Sequence, residues 1–467
     1  MRRRPPFNVM IVRPIIAALA AFALASAACA APPASRPVPS PQPEPRAPDP
    51  APRPIPVPPS ANPLPPVPQP EPRPVTPDST PDAAPPATAA ERAARRVVRM
   101  AEVPASRVPV ARSSSRNDTL RARALNKSVR VCSGGDVTLG TNLDPAWARM
   151  AAERLQSRFG LDDRPATLLA PLRSMVRPSD IVLLNVESAI GSGRTGSKCG
   201  PRSTNCYAFR SPPAAAPALR ALTPAIVVGN IANNHARDAG DAGVDSTIAA
   251  LERAGVLVTG GDTLATRVIT PAGDTIGMLG FYTSTETPDA RDTAAVYRHV
   301  ARAAQRYPVV VVTMHLGSEG ISAQRTLDRQ EIFLGSIDRG NPVAFADAAV
   351  RGGAALVVGH GPHVLRGIEW REGGALIAYS LGNLLTYGPF TMRDPLNRGA
   401  VLCTTIDTTG RVRRASVTST VQRAAGVLAR DPEARAIILL DSLSRLDFPA
   451  TGVRGEPDGT LRPRPRR

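Results

Sequence analysis

Four consecutive valines at 309–312, followed by Thr313, Met314 and His315, restrict this chain more than any other stretch. An unbroken β-branched run, with no polar alternation, belongs to a strand covered on both faces, as in a parallel sheet between layers. The same design recurs four times. Residues 181–184 precede Asn185 and Glu187, 225–228 precede Asn233, Asn234, His235 and Asp238, 355–358 precede His360 and His363, and 375–378 precede Ser380 and Asn383. Buried strands have no use for such polar ends, and open α/β sheets gather their ligands outside the carboxyl ends of the strands. A further strand at 129–132 runs into 133–140, where Gly134 and Gly135 permit a tight turn that leaves Asp136 at the strand's end.

Between the strands the apolar period changes from 2 to 3.6, which predicts helices over 145–159, 168–176, 244–254 and 292–306. Late in the chain, 401–406 and 412–417 read as an antiparallel hairpin. A last helix is signalled by Asp431 as N-cap and Pro432 at the first helical position. Strands alternating with helices make the globular part, residues 124–448, an α/β domain. A short tail, 449–467, is expected to be basic and disordered.

The first quarter of the chain has another character. Proline accounts for 51 of the 467 residues and is concentrated between Pro32 and Pro86. Such a run can form neither helix nor sheet, so 29–123 reads as a stiff, otherwise disordered polyproline stalk and connector. Ahead of it, Arg2, Arg3 and Arg4, an apolar run at 15–25 and the small residues Ser26, Ala27 and Ala28 read as a signal peptide or N-terminal anchor over 1–28. Export to the periplasm or cell envelope follows as an expectation. Cys29 leaves open a lipid anchor in the membrane beside simple cleavage.

A net charge of +18 suggests a nucleic-acid partner until it is divided along the chain. Residues 1–128 carry +10 of it and 129–420 only +5, and Lys127 and Lys198 are the only lysines. Arg-rich, Lys-poor composition reflects coding bias better than selection for phosphate contacts, so no nucleic acid is expected. Cys132 and Cys403 sit in apolar runs and read as small buried hydrophobes. Cys199 and Cys206 flank a polar loop and read as a local disulfide.

Four of the five histidines fall at strand ends. Each alone would be an ordinary hydrogen-bonded turn residue; together, on one sheet edge, they read as a metal site. Carboxylates, imidazoles and an amide oxygen suit one or two borderline-to-hard divalent ions, with Mn, Fe, Zn, Mg and Ni undistinguished, and argue against a thiolate site. Two such ions would clamp a tetrahedral oxyanion and supply an attacking water. Asp238 or Glu319 could orient His235 or His315.

The motifs Gly135-Asp136-Val137-Thr138, Asn185-Val186-Glu187-Ser188, Asn233-Asn234-His235, His315-Leu316-Gly317-Ser318-Glu319, His360-Gly361-Pro362-His363 and Ser380-Leu381-Gly382-Asn383 resemble, in order, those of the CapA family. These are poly-γ-glutamate capsule biosynthesis proteins whose PGA_cap domain is similar to calcineurin-like metallophosphoesterases. The resemblance implies a four-layer α/β/β/α sandwich. It implies metal ligation by Asp136, Glu187, Asn234, His315, His360 and His363, with His235, assisted by Asp238, as general acid. Glu319, Ser380 and Asn383 are expected to bind substrate. Three positions depart from the pattern: Thr138 replaces a histidine, Glu187 replaces the bridging aspartate, and His360 and His363 are spaced by Gly-Pro. The resemblance also implies anionic envelope polymer or phosphoester as substrate, and other envelope biosynthesis proteins as partners. Two functions compete: a metal-dependent hydrolase, and a non-catalytic component holding a polyanion, which the low aromatic content favours over a stacked sugar.

Overall fold

A computed structural model of the chain describes residues 125–464, apart from 141–142, 144, 178, 193–197, 200–205, 285–288, 389 and 391–392. The expected signal peptide, Cys29 and the Pro-rich stalk lie outside the described residues, as do Arg466 and Arg467.

Two sheets carry the domain. The larger has ten strands, with Val129–Thr138, Ile181–Val186, Ile226–Asn230 and Leu257–Thr259 parallel in that order. On the other side of Val129–Thr138 the sheet turns antiparallel through Arg398–Ile406 and Val412–Arg423. In the smaller, six-stranded sheet, Leu376–Ala378, Ala354–His360, Val309–His315 and Thr275–Tyr282 are parallel, and antiparallel strands close both edges.

Side-chain alternation explains the layering. Along Ile181–Val186, Ile181 and Leu183 enter a core shared with Val309, Val311, Leu356 and Val358 of the smaller sheet. Val182 and Leu184 point the other way, onto Leu155, Leu172, Leu219 and Leu251 of the covering helices. The smaller sheet does the same, sending Val310, Val312 and Val357 against Val296, Val300 and Phe345. Each central strand is therefore buried on both faces, and the result is an α/β/β/α sandwich.

Several expectations are corrected. Gly134 and Gly135 make no turn: the strand runs on to Thr138, with a register shift between Ser133 and Asp136. A Cβ on Gly135 would lie 2.0 Å from the carbonyl oxygen of Gly382, so this position admits the close approach of the 381–383 segment. Cys132 and Cys403 are not free hydrophobes; they face each other across the antiparallel pair and form a disulfide. The tail is not disordered as far as Arg464. Val453–Gly455 and Thr460–Pro463 form a hairpin that extends the larger sheet, with Leu461 and Val453 in the core.

The last helix spans Arg435–Asp447, three residues later than Pro432 suggested, because Ala434 adopts a left-handed conformation before it. Asp431 still caps the region by accepting the N–H groups of Glu433 and Arg435 and the Arg435 guanidinium. Burial pushes its carboxyl pKa up, but those donors prevail and hold it below the usual range. Asp431→Ala should cost about 1 kcal/mol at neutral pH, seen as a lower urea midpoint. Because the folded pKa is depressed, this difference should be complete above the ordinary aspartate pKa of about 3.9 and fade as pH falls below it.

Candidate metal centre

Strand register assembles the site. Across the larger sheet Asp136 stands opposite Asn185 and Asn383, and Asn185 opposite Asn230. Across the smaller sheet His315 stands opposite His360. Residues distant in sequence thus reach the same ends of the two sheets, on either side of the shared core.

Asp136 is the hub, 1% exposed. Its Oδ1 lies 3.4 Å from His360 Nδ1 and accepts Asn185 Nδ2 at 2.9 Å, while Oδ2 lies 3.1 Å from His363 Nδ1. Glu187, also buried, places Oε1 3.6 Å from His315 Nε2 and 3.9 Å from His363 Nε2. Asp136, Glu187 and His363 each offer a ligand atom within 4.8 Å of the others. Thr138, where the resemblance leads one to expect histidine, donates its hydroxyl to the Glu187 carbonyl at 3.2 Å and so fixes the backbone of that residue.

The electrostatics are those of a site short of positive charge. Burial and the neighbouring Asp136 push the Glu187 carboxyl well above its usual range. Asp136 moves the opposite way: burial raises it, but the adjacent imidazoles of His360 and His363 hold it well below. Burial disfavours a charged His363, yet Glu187, Asp136 and Glu319 outweigh it and push the imidazole up to about 10. His363 also adopts φ 59°, a strained conformation for a residue with a side chain. Burial, with the positive charge of Arg339, keeps His315 well below its ordinary pKa and hence neutral, the form that ligates metals.

Does a divalent ion fit these residues? Among buried polar atoms without a hydrogen-bond partner are Glu187 Oε1, His315 Nε2, both ring nitrogens of His360 and Asn234 Oδ1. Buried polar groups are normally satisfied, and the atoms on Glu187, His315 and His360, which lie by Asp136 and His363, are of the kind a cation would satisfy. Their oxygen and nitrogen chemistry fits a borderline-to-hard divalent cation.

The remaining expected residues fall around this group. His235 Nδ1 lies 2.7 Å from Asp238 Oδ2, and Lys198 Nζ lies 2.6 Å from Asp238 Oδ1 and donates to the Asn234 carbonyl at 3.0 Å. Since a carboxylate only accepts, Nδ1 carries the proton, and Nε2 is left to exchange one. Burial lowers the His235 pKa, with Asp238 opposing. Asp238 itself is wholly buried. It is therefore placed to orient the His235 ring. Glu319 pairs with Arg339 at 3.0 Å and faces His363 at 3.8 Å, not His315. Ser380 is fully buried and its hydroxyl accepts the Gly382 N–H in the turn before Asn383. Asn383 lies 3.1 Å from His363 Nδ1 and donates to the carbonyls of His363 and Leu396, and so holds the His363 segment. The structure also contains a disulfide between Cys199 and Cys206, beside Lys198.

Sequence reasoning missed the amide lattice beneath the ligands. Asn185 Oδ1 accepts from both Asn230 and Asn233, and Asn233 Oδ1 accepts the His235 N–H. It also missed Arg339, 4% exposed, whose Nε donates to the Gly317 carbonyl. Nothing distinguishes that arginine in so arginine-rich a chain. The amides did carry a signal, since Asn185 and Asn230 each close an apolar strand.

The family described as bacterial capsule synthesis protein PGA_cap matches residues 130–387. Two proteins of Mycobacterium tuberculosis, from strains CDC 1551 / Oshkosh and ATCC 25618 / H37Rv, are each described as a probable polyglutamine synthesis accessory protein. Each is 28% identical over 303 residues, covering 55% of this chain and 74% of the relative. Among solved structures, the crystal structure of a 5′-nucleotidase precursor from Thermus thermophilus aligns with TM-score 0.32 and 13% identity, over 69% of this chain and 59% of that one.

Proposed function

From the premise that this chain belongs to the bacterial capsule synthesis protein PGA_cap family, and so to capsule biosynthesis, we propose that it is an exported, divalent-metal-dependent hydrolase. Its substrate is a phosphoester or γ-glutamyl bond of an anionic envelope polymer. The observation that carries this reading is the set of buried, unpartnered ligand-type atoms on Glu187, His315 and His360, next to Asp136 and His363. Export is supported by two disulfides, which persist in oxidising compartments.

Asp136, Glu187, Asn234, His315, His360 and His363 would hold the metal, which when bound supplies a Lewis acid for the scissile phosphoryl or acyl group. His235 gives a proton from Nε2 to the leaving atom. Asp238 fixes the Nδ1–H form of the ring and stabilises the charged imidazole, and Lys198 holds Asp238 in place. Burial lowers the pKa of that ring with Asp238 opposing, so Nε2 first takes up a proton from solvent, Asp238 stabilises the charged ring, and the proton is then released readily to the leaving atom. Arg339 adds positive charge beside Glu319, where an anionic substrate would approach.

The test is elemental analysis of the purified mature protein together with turnover of a generic phosphodiester. One or two metal equivalents are expected, with activity lost on chelation. His235→Ala should keep its metal and lose about 10²- to 10⁴-fold in turnover. Absence of metal together with unchanged activity in His235→Ala would overturn the hydrolase reading. Salt-sensitive binding of poly-γ-glutamate in its place would support a non-catalytic polyanion holder.

A further inference from the structure

Phe, Trp and Tyr make up only 4% of the chain, yet four of these side chains meet beside His235. Trp147 comes from the helix Pro145–Phe159, Tyr207 and Phe209 from the segment after Cys206, and Phe390 from beyond the strand Asn383–Thr386. Trp147 lies 5.6 Å from Tyr207 and 5.1 Å from Phe390, and Phe390 lies 5.9 Å from Tyr207 and 5.8 Å from Phe209. Phe209 is buried, whereas Trp147, Tyr207 and Phe390 lie outside the domain's apolar cores. Tyr207 is 43% exposed, an unfavourable position for a large apolar ring without a ligand.

The cluster is continuous with the candidate metal centre. The Phe209 ring lies 4.6 Å from the His235 ring, and Asp238 Oδ2 accepts the Phe209 N–H while holding His235 Nδ1. One buried carboxylate thus sets the aromatic segment and the imidazole together.

We propose that Trp147, Tyr207, Phe209 and Phe390 form a subsite for a sugar ring, on the leaving-group side of the scissile bond. The ring geometry selects this occupant. A planar base is held best between parallel rings, but the near-parallel pair here, Tyr207 and Phe209 at 16°, includes a ring that is 6% exposed. The other pairs are tilted or edge-on, at 46°, 52°, 68° and 85°. Tyr207 is the most exposed of the four, and one exposed ring backed by tilted neighbours matches the apolar C–H face of a pyranose with its hydroxyls in water. A bare γ-glutamyl chain gains nothing there, since the faces of aromatic rings are electronegative and repel carboxylates. Lys198, with its side chain 32% exposed, offers a donor to a ring hydroxyl at the edge.

Assignment to the leaving-group side rests on the reading of His235 as proton donor; ring binding does not, and is measured without turnover. The chain has two tryptophans, so Trp370→Phe leaves Trp147 as the sole emitter. In the full-length chain carrying that change, neutral trisaccharides of glucose, galactose and N-acetylglucosamine are titrated against Trp147 fluorescence, with a mononucleotide and poly-γ-glutamate in parallel. At least one trisaccharide should shift the emission saturably, and Tyr207→Ala should weaken that binding about tenfold, by analogy with loss of one stacking contact, without changing metal content. No response to any trisaccharide, an equal response in Tyr207→Ala, or a Tyr207-dependent response to the mononucleotide alone would each overturn the proposal. Saccharide binding that persists in His235→Ala while phosphodiester turnover is absent from the parent chain would keep the subsite and remove the hydrolase reading.

Discussion

Glu187→Gln is expected to stabilise the protein without metal and to abolish its stabilisation by metal. The carboxylate is 2% exposed, its Oε1 has no hydrogen-bond partner, and burial together with Asp136 disfavours its charge. A carboxyl whose pKa rises on folding subtracts stability wherever the unfolded chain would ionise it, that is, above a pH of about 4.3. Gln has the same shape and no charge, so the metal-free variant should melt about 2 °C higher at pH 7, the scale of a change of roughly 1 kcal/mol in a domain of this size. Metal reverses the order. An ion at 100 times its dissociation constant adds about 2.7 kcal/mol to the parent chain. The variant has lost an anionic ligand between His315 and His363, and should show no metal-dependent shift and no bound metal. Thermal melts with chelator and with each of Mn, Zn and Mg, read beside elemental analysis, check both halves. An undiminished metal shift in the variant would remove Glu187 from the ligand set.

The second large effect concerns Cys132 and Cys403. Their disulfide joins neighbouring strands of the larger sheet across 271 residues of chain, so it restricts nearly the whole folded domain in its unfolded state. The loop-closure argument gives an upper value of about 5.6 kcal/mol for a loop of this length, and measured effects are usually smaller. Cys132→Ala with Cys403→Ala should therefore lose about 3–5 kcal/mol in urea unfolding, part of it from the space left in the core. The comparison is internal: the Cys199–Cys206 bridge spans a separation of only 7, and removing it should cost less, about 2 kcal/mol. Equal losses from the two double variants would show that loop length does not govern the effect. Reductant should mimic the double alanine variant only once the protein unfolds, because Cys132 is fully buried and Cys403 is 6% exposed.

The apolar runs were legible because a strand buried on both faces has to be apolar throughout, and 181–184 and 309–312 could satisfy no other environment. Their polar ends were legible for the converse reason: His315, His360 and Glu187 follow strands that would otherwise have stayed apolar. Where the reading failed, the deciding partner was far away in the chain. Ser380 and Asn383 share one motif, yet only the turn around Gly382 shows that the serine hydroxyl accepts a backbone N–H while the amide faces His363. The hairpin after Val453 was missed because its stability comes from Val412–Arg423, to which it pairs, and not from its own charged composition. Arg339 carries no local mark, and only its packing against Glu319 beside His363 gives it a role.

Returning to 309–315 separates the two kinds of information. The sequence by itself determined that this stretch is a buried parallel strand ending in a histidine, since pattern and burial preference are properties of neighbouring residues. Tertiary structure alone decided that His315 lies opposite His360 and reaches Glu187 from the other sheet, that Cys132 meets Cys403, and that four scarce aromatic rings converge on His235. These are contacts between segments tens to hundreds of residues apart, set by strand register and by the packing of two sheets on one core, and no local pattern encodes such a distance.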